Sequence, residues 1–213
     1  MNETLKRALS GSVYVAIMWF GTSCSETSFK LLFAILGLVC MYEMWKLRKG
    51  KTKIIAFLYV IIPFFLIHIL GMTDRDYPNA PFDPSLILLM FILTWTFDTF
   101  AYLLGVKFGK HKIMPSVSPK KSWEGFVGGY IFTIVAAYIT SKYFLPIDFY
   151  LALIVSIFLP FTATLGDFLE SHYKREAGVK DSGNFIPGHG GMLDRMDAFM
   201  ITIPAIYLII NFL

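Results

Sequence analysis

Seven stretches of this chain are apolar enough, over enough residues, to be transmembrane helices, and no other property narrows its fold as much. They run at about 9–23, 29–47, 53–71, 85–105, 125–144, 149–168 and 196–213. A hydrocarbon core about 30 Å thick is crossed by roughly 20 apolar residues in α-helix. The runs lack the alternation of an outer-membrane barrel strand, and backbone groups in lipid need partners within their own segment, so helices are the expected spans. The first run is the shortest. Lys6 and Arg7 ahead of Val13 to Phe20 also resemble a signal peptide, but further spans follow and an uncleaved first helix is expected. The fold class expected is therefore all-α, a polytopic membrane protein of about seven spans.

Orientation follows from the basic residues, which collect in short cytoplasmic loops. With the N-terminus cytoplasmic, the inside segments hold Lys6 and Arg7; Lys46, Arg48, Lys49, Lys51 and Lys53; Lys107, Lys110, Lys112, Lys120 and Lys121; and Lys174, Arg175, Lys180 and Arg195. Of the 19 basic residues only Lys30, Arg75 and Lys142 fall outside. A wrong number of spans would mix the two sides, so the separation supports both the count and the direction. The net charge of +4 does not mark a nucleic-acid partner, because its carriers sit between apolar runs; only 16% of residues are charged, against about 25% in soluble domains. Cys24 lies in a short polar loop and Cys40 in an apolar run, which makes no disulfide framework.

The chain divides in character. Residues 1–84 read as membrane-anchor helices; residues 85–213 read as a catalytic membrane domain with cytoplasmic loops at 106–124 and 169–195. A charge at the centre of a bilayer costs about 2.5–3.5 kcal/mol on insertion scales, so an ionisable residue in a span is a functional candidate. Asp98 sits inside the fourth span, Asp167 ends the sixth, Asp194 and Asp197 open the seventh, and Glu124 starts the fifth. On the topology above all lie toward the cytoplasmic side. If the sixth helix continues past the membrane, Asp167, Ser171 and Lys174 share one face, and Asp194 and Asp197 share another. Carboxylates on converging faces, with no Cys or His at ligand spacing, favour a hard cation such as Mg²⁺. Asp98 also admits a buried structural ion pair, the lesser of its two readings. Glu43, near the end of the second span, reads as snorkelling or structural, and His68 as a packed histidine.

Two loops supply the positive side. In Ser118-Pro119-Lys120-Lys121-Ser122-Trp123-Glu124-Gly125, either Ser118 or Ser122 is placed to cap the fifth helix, whose N-terminus attracts phosphate. The second loop carries Lys174-Arg175, Lys180-Asp181 and Pro187-Gly188-His189-Gly190-Gly191, whose glycines let backbone amides approach an anion closely. Acids for a metal, with bases and glycines for phosphate, describe phosphoryl or nucleotidyl transfer at a membrane surface. His189 admits three roles: satisfied loop residue, substrate contact or general base.

The segment from Ser171 through Lys174-Arg175, Lys180-Asp181-Ser182-Gly183 and Ile186-Pro187-Gly188-His189-Gly190-Gly191-Met192-Leu193-Asp194-Arg195-Met196-Asp197 resembles the signature of the phosphatidate cytidylyltransferase (CDP-diglyceride synthase) family. Asp98-Thr99-Phe100-Ala101-Tyr102, Ser118 to Gly125, and Gly166-Asp167 resemble that family's segments in the same order. The resemblance covers roughly residues 90–213; ahead of it only Arg7-Ala8-Leu9-Ser10-Gly11 and Tyr42-Glu43 match loosely. Tyr173 departs from the aliphatic residue or Phe usual there, and the N-terminal half is shorter than in longer members.

The resemblance implies the reaction CTP + phosphatidate → CDP-diacylglycerol + pyrophosphate, with Mg²⁺, two divalent ions being the usual complement for such a displacement. On this reading Asp167 and Asp194 are metal ligands, and Asp197 and Asp98 are further ligands or supports behind them, with Lys174 beside them in the catalytic set. Arg175, Lys180 and Arg195 join Lys174 in neutralising the triphosphate and the lipid phosphate. Ser118, Lys120 and Lys121 border the nucleotide or the headgroup, and Ser171, Asp181, His189, Gly190 and Gly191 complete the substrate-binding set. The implied setting is the lipid bilayer of a bacterial inner membrane, with the site facing the cytoplasm and a homodimer admitted. Two rivals remain: a CTP-dependent lipid kinase of the polyprenol or phytol type, and an ion-coupled transporter. Transporters place polar sites near the midplane between repeats, whereas here the polar groups gather at one edge and no repeat is visible.

Overall fold

Each apolar run forms one helix. The computed structural model describes residues 3–71, 82–115, 117–188 and 190–212; His189 and most of the loop expected on the outer side before the fourth span lie outside the described residues. The helices are α1 (Glu3–Ser23), α2 (Glu26–Leu47), α3 (Ile54–Leu70), α4 (Ser85–Phe108), α5 (Trp123–Tyr143), α6 (Phe149–Glu176) and α7 (Leu193–Phe212). Four of them, α2, α4, α5 and α6, are long and apolar enough to cross a membrane, and α3 is a shorter apolar helix.

The all-α class stands, with two local features that the sequence did not show. The 106–124 segment holds an antiparallel hairpin of β1 (Lys112–Met114) and β2 (Ser118–Ser122), with Lys112 opposite Ser122 and Met114 opposite Ser118. Its strands are too short and too rich in lysine and serine to show a strand pattern in sequence. The 169–195 segment is not loop throughout, because α6 runs on to Glu176 and α7 begins at Leu193. The continuation expected for the sixth helix is present.

Helix starts follow capping chemistry. Ser25 and Ser28 cap α2 reciprocally, each side chain accepting from the other's backbone N–H at 3.1 and 3.0 Å. Asp148 accepts from Leu151 N at the start of α6. Of the two serines that could cap α5, Ser122 does so, its Oγ accepting from Gly125 N at 3.3 Å.

Lipid offers no hydrophobic drive between helices, so close backbone approach at small residues carries much of the packing. The seam between α4 and α5 is built this way. A Cβ on Gly125 would stand 2.5 Å from Ala101 O and 2.9 Å from Gly105 Cα, and one on Gly129 would stand 2.8 Å from Phe97 O. Helices α6 and α7 meet as closely at Gly166, where a Cβ would collide with Asp197 O; Tyr59 of α3 donates to Gly166 O at 3.0 Å. This crossing sets Asp167 beside Asp197. Around the buried core, Leu38, Ile55, Phe65, Val106, Phe144 and Tyr150 are exposed, an apolar exterior suited to lipid rather than water.

Candidate active site

At one end of the bundle three carboxylates converge. Ligand oxygens of Asp167, Glu170 and Asp197 lie within 4.8 Å of one another. Asp167 and Glu170 are one helical turn apart on α6, and the Gly166 crossing brings Asp197 of α7 against them. Glu170 is fully buried, and its Oε1 accepts no hydrogen bond among the described residues. An orphaned buried carboxylate oxygen is costly unless something positive completes it. Three carboxylates at this separation repel one another, and a hard divalent cation answers both problems. The residues present fit such an ion.

Lys174, one turn beyond Glu170, ties this cluster to α7. Its Nζ lies 2.5 Å from Glu170 Oε2 and 2.7 Å from Asp194 Oδ1, and all three side chains are at most a tenth exposed. The other oxygen of Asp194 accepts from Gly191 N at 2.7 Å and from Ser182 N at 3.0 Å, with Ser182 Oγ also at 3.0 Å. Gly188 and Gly190 hold φ of 80° and 84°, a left-handed turn that suits glycine and folds the chain back so that Ile186 N donates to Gly190 O. The amide of Gly191, in the glycine run expected to approach an anion, is turned toward the Asp194 carboxylate, and those of Met192 and Leu193 toward Glu43.

A cavity of about 530 Å³ adjoins the carboxylates, walled by α4, the hairpin, α5 and Thr164 of α6. Asp98, Lys112, Ser118, Lys120 and Lys121 supply its polar lining; Phe97, Val106, Ile113 and Phe126 supply its apolar wall. Lys121 belongs to both places, since it pairs with Asp167 Oδ2 and lies 5.2 Å from the Phe168 ring centroid. Glu124 braces the hairpin by accepting from the backbone of Lys110 and His111 and by contacting His111 Nδ1 at 2.6 Å.

The structure therefore brings together Asp167, Ser171, Lys174, Asp194, Asp197 and Lys121, with Asp98, Ser118 and Lys120 along the adjoining cavity. Ser171 Oγ donates to Asp167 Oδ1 at 3.3 Å. Gly190 and Gly191 shape the loop on Asp194, and Arg195 is half-buried on the first turn of α7. Arg175 is exposed and donates to Val179 O, and Lys180 and Asp181 are exposed. Sequence reasoning left two acids out of the site. Glu170 carried a usable signal, standing three residues after Asp167 and four before Lys174. Glu43 was read as snorkelling or structural, its one further signal being the loose family match at Tyr42-Glu43.

A model of the cytidylyltransferase family matches residues 54–213. Among curated proteins, the phosphatidate cytidylyltransferase of Staphylococcus saprophyticus is 44% identical over 128 residues, covering 58% of this chain and 48% of that protein. The enzyme of that name from Haemophilus influenzae is 36% identical over 195 residues, covering 89% and 64%. That from Rickettsia prowazekii is 30% identical over 213 residues, covering 95% and 90%. The match spans about half the length of the staphylococcal relatives and nearly all of the Rickettsia protein.

Proposed function

The chain belongs to the cytidylyltransferase family, and from that premise we propose that it transfers the cytidylyl group of CTP to phosphatidate, giving CDP-diacylglycerol and pyrophosphate. The observation that carries the proposal is the junction of a part-buried three-carboxylate cluster with a lysine-lined, half-apolar cavity. A kinase or nucleotidyltransferase needs the first; a substrate with a phosphate head and an apolar body needs the second.

In this reaction a phosphatidate phosphate oxygen bonds to the α-phosphorus of CTP while the bond from that phosphorus to the bridging β-phosphate oxygen breaks. Such a displacement depends on alignment and on neutralising charge. Asp167, Glu170 and Asp197 would hold a divalent ion, Mg²⁺ by preference, with Asp194 and Asp98 as flanking acids; bound there, it would supply Lewis-acid polarisation and charge neutralisation at the phosphates. Lys121 reaches from the cavity to Asp167 and so is placed to hold a phosphate at the boundary of the two regions. Lys112 and Lys120 form no ion pair among the described residues and remain available to a second phosphate. Lys174 keeps Glu170 and Asp194 together through the turnover.

The membrane arrangement proposed is seven spans with a cytoplasmic N-terminus, in a bacterial inner membrane. Supporting it, contacts gather the basic segments at one end of the bundle: Arg48 and Lys51 meet Glu176, Lys121 meets Asp167, and Ser10 meets Pro187 O. CTP then reaches the site from the cytoplasm.

The deciding experiment gives the purified protein in detergent radiolabelled CTP, phosphatidate and Mg²⁺, with diacylglycerol alone as control. Label is expected in a lipid only when phosphatidate and metal are both present. Phosphatidate formed from diacylglycerol and CTP would instead identify a lipid kinase.

A further inference from the structure

Glu43 lies on α2, ahead of the segment that the family model matches, yet its carboxylate reaches the start of α7. The residue is 4% exposed. Oε1 accepts from Met192 N at 3.1 Å, and Oε2 accepts from Leu193 N at 2.8 Å. No cation pairs with it among the described residues. The amides it takes are among those a helix N-terminus leaves without internal partners, and a carboxylate there also meets the positive end of the helix dipole. The cap of α7 is thus supplied from another helix.

Two glycines of the 182–191 loop make room for it. A Cβ on Gly183 would stand 2.5 Å from Glu43 Oε1, and one on Gly191 would stand 2.5 Å from Oε2 and 2.7 Å from Oε1. Ser182 completes the connection. Its Oγ lies 2.9 Å from Glu43 Oε2 and 3.0 Å from Asp194 Oδ2, so one hydroxyl, with one proton to give, bridges the two acids.

We infer that Glu43 is a positioning residue for the metal site: it fixes where α7 begins, and through Ser182 it fixes where the Asp194 carboxylate points, thereby placing Asp194 and Asp197 for the divalent ion. The inference rests on reading the acidic cluster as that ion's site. Partners that orient metal ligands typically change metal affinity by roughly 10–100-fold when they are removed.

The test compares the full chain with its Glu43→Gln and Glu43→Asp variants in detergent. Glutamine keeps the shape but replaces one accepting oxygen with an NH2 donor, so either Met192 N or Leu193 N is left facing a donor. Three readouts are taken: Mn²⁺ affinity by electron paramagnetic resonance, amide hydrogen exchange over 182–193, and the Mg²⁺ concentration for half-maximal cytidylyl transfer. Glu43→Gln is expected to weaken Mn²⁺ binding and raise the half-saturating Mg²⁺ by roughly 10–100-fold. Exchange should quicken over 182–193 and not along α5, the KM for CTP at saturating metal should be little changed, and Glu43→Asp should recover part of the loss. A folded Glu43→Gln protein with wild-type Mn²⁺ affinity overturns the inference, even if it unfolds at a lower temperature, because a packing role alone predicts that pattern. If Glu43→Gln does not fold, Ser182→Ala, which cuts only the bridge, must weaken Mn²⁺ binding in the same direction; unchanged affinity there also overturns it. A wild-type protein that binds Mn²⁺ in a Glu43-dependent way but labels no lipid would refute the transfer reaction and leave the positioning role standing. One that binds no Mn²⁺ would end both.

Discussion

Lys174 is the residue on which the site's electrostatics turn. It is one ammonium between two buried carboxylates, Glu170 and Asp194. Removing one member of a buried ion pair costs about 3–5 kcal/mol, since the charge left behind is uncompensated. Lys174→Ala should therefore lower the thermal unfolding temperature markedly in detergent, and Mg²⁺ should restore part of the loss by replacing the missing positive charge. No such rescue would place the metal elsewhere. Glu170→Gln asks the complementary question. It keeps the side chain's shape and removes a proposed ligand, so transfer activity should fall by at least about the 100-fold seen for outer partners, with insertion intact. Wild-type activity in that variant would leave Asp167, Asp194, Asp197 and Asp98 as the metal's acids, the set the family resemblance implied.

Among the elements, the α4–α5 seam shapes the cavity, because Gly105 and Ala101 of α4 face Gly125 of α5 with almost no space between the backbones. Gly125→Ala puts a methyl group against Ala101 O, and overpacking of this kind costs about 1–3 kcal/mol. Both a lower unfolding temperature and weaker CTP binding are expected, since α5 must move away from the cavity wall. Ser122→Ala, which removes only the cap, should cost about 1 kcal/mol and affect stability more than binding. The helices themselves were legible in sequence, as each apolar run of roughly 20 residues admits one interpretation in lipid, and the observed bounds of α2, α3 and α5 lie within a few residues of the expected ones. The hairpin was not legible. Its register is set by Glu124 and by the close approach of Gly109 to Ser122, where a Cβ would come within 2.5 Å of Ser122 Oγ, and short polar strands announce neither.

At the scale of the whole molecule, the proposed topology places Lys142 and Lys180 on opposite faces of the membrane. In a chain freed of the exposed Cys24, Lys142→Cys should react with a membrane-impermeant maleimide in intact cells, and Lys180→Cys only after the cells are opened. The reverse pattern would put the site on the outer face, away from cytoplasmic CTP. Glu170 was passed over, but Asp167, Asp194 and Asp197 could be read from their spacing because neighbours along a helix share a face. Glu43 could not, because its partners Met192 and Leu193 stand 149 and 150 residues away, and no local pattern encodes a contact across that distance.

That long-range contact limits how the chain can be divided. Residues 54–213 match the family by themselves, which invites treating them as a transplantable cassette. Yet the hollow left by Gly183 and Gly191 is filled by an acid from outside that cassette. Grafted onto a foreign pair of leading helices, the segment would keep its aspartates and lose the strut beneath them. Substitutions at 43, 183 and 191 are accordingly expected to be inherited together, each tolerable only in the company of the others.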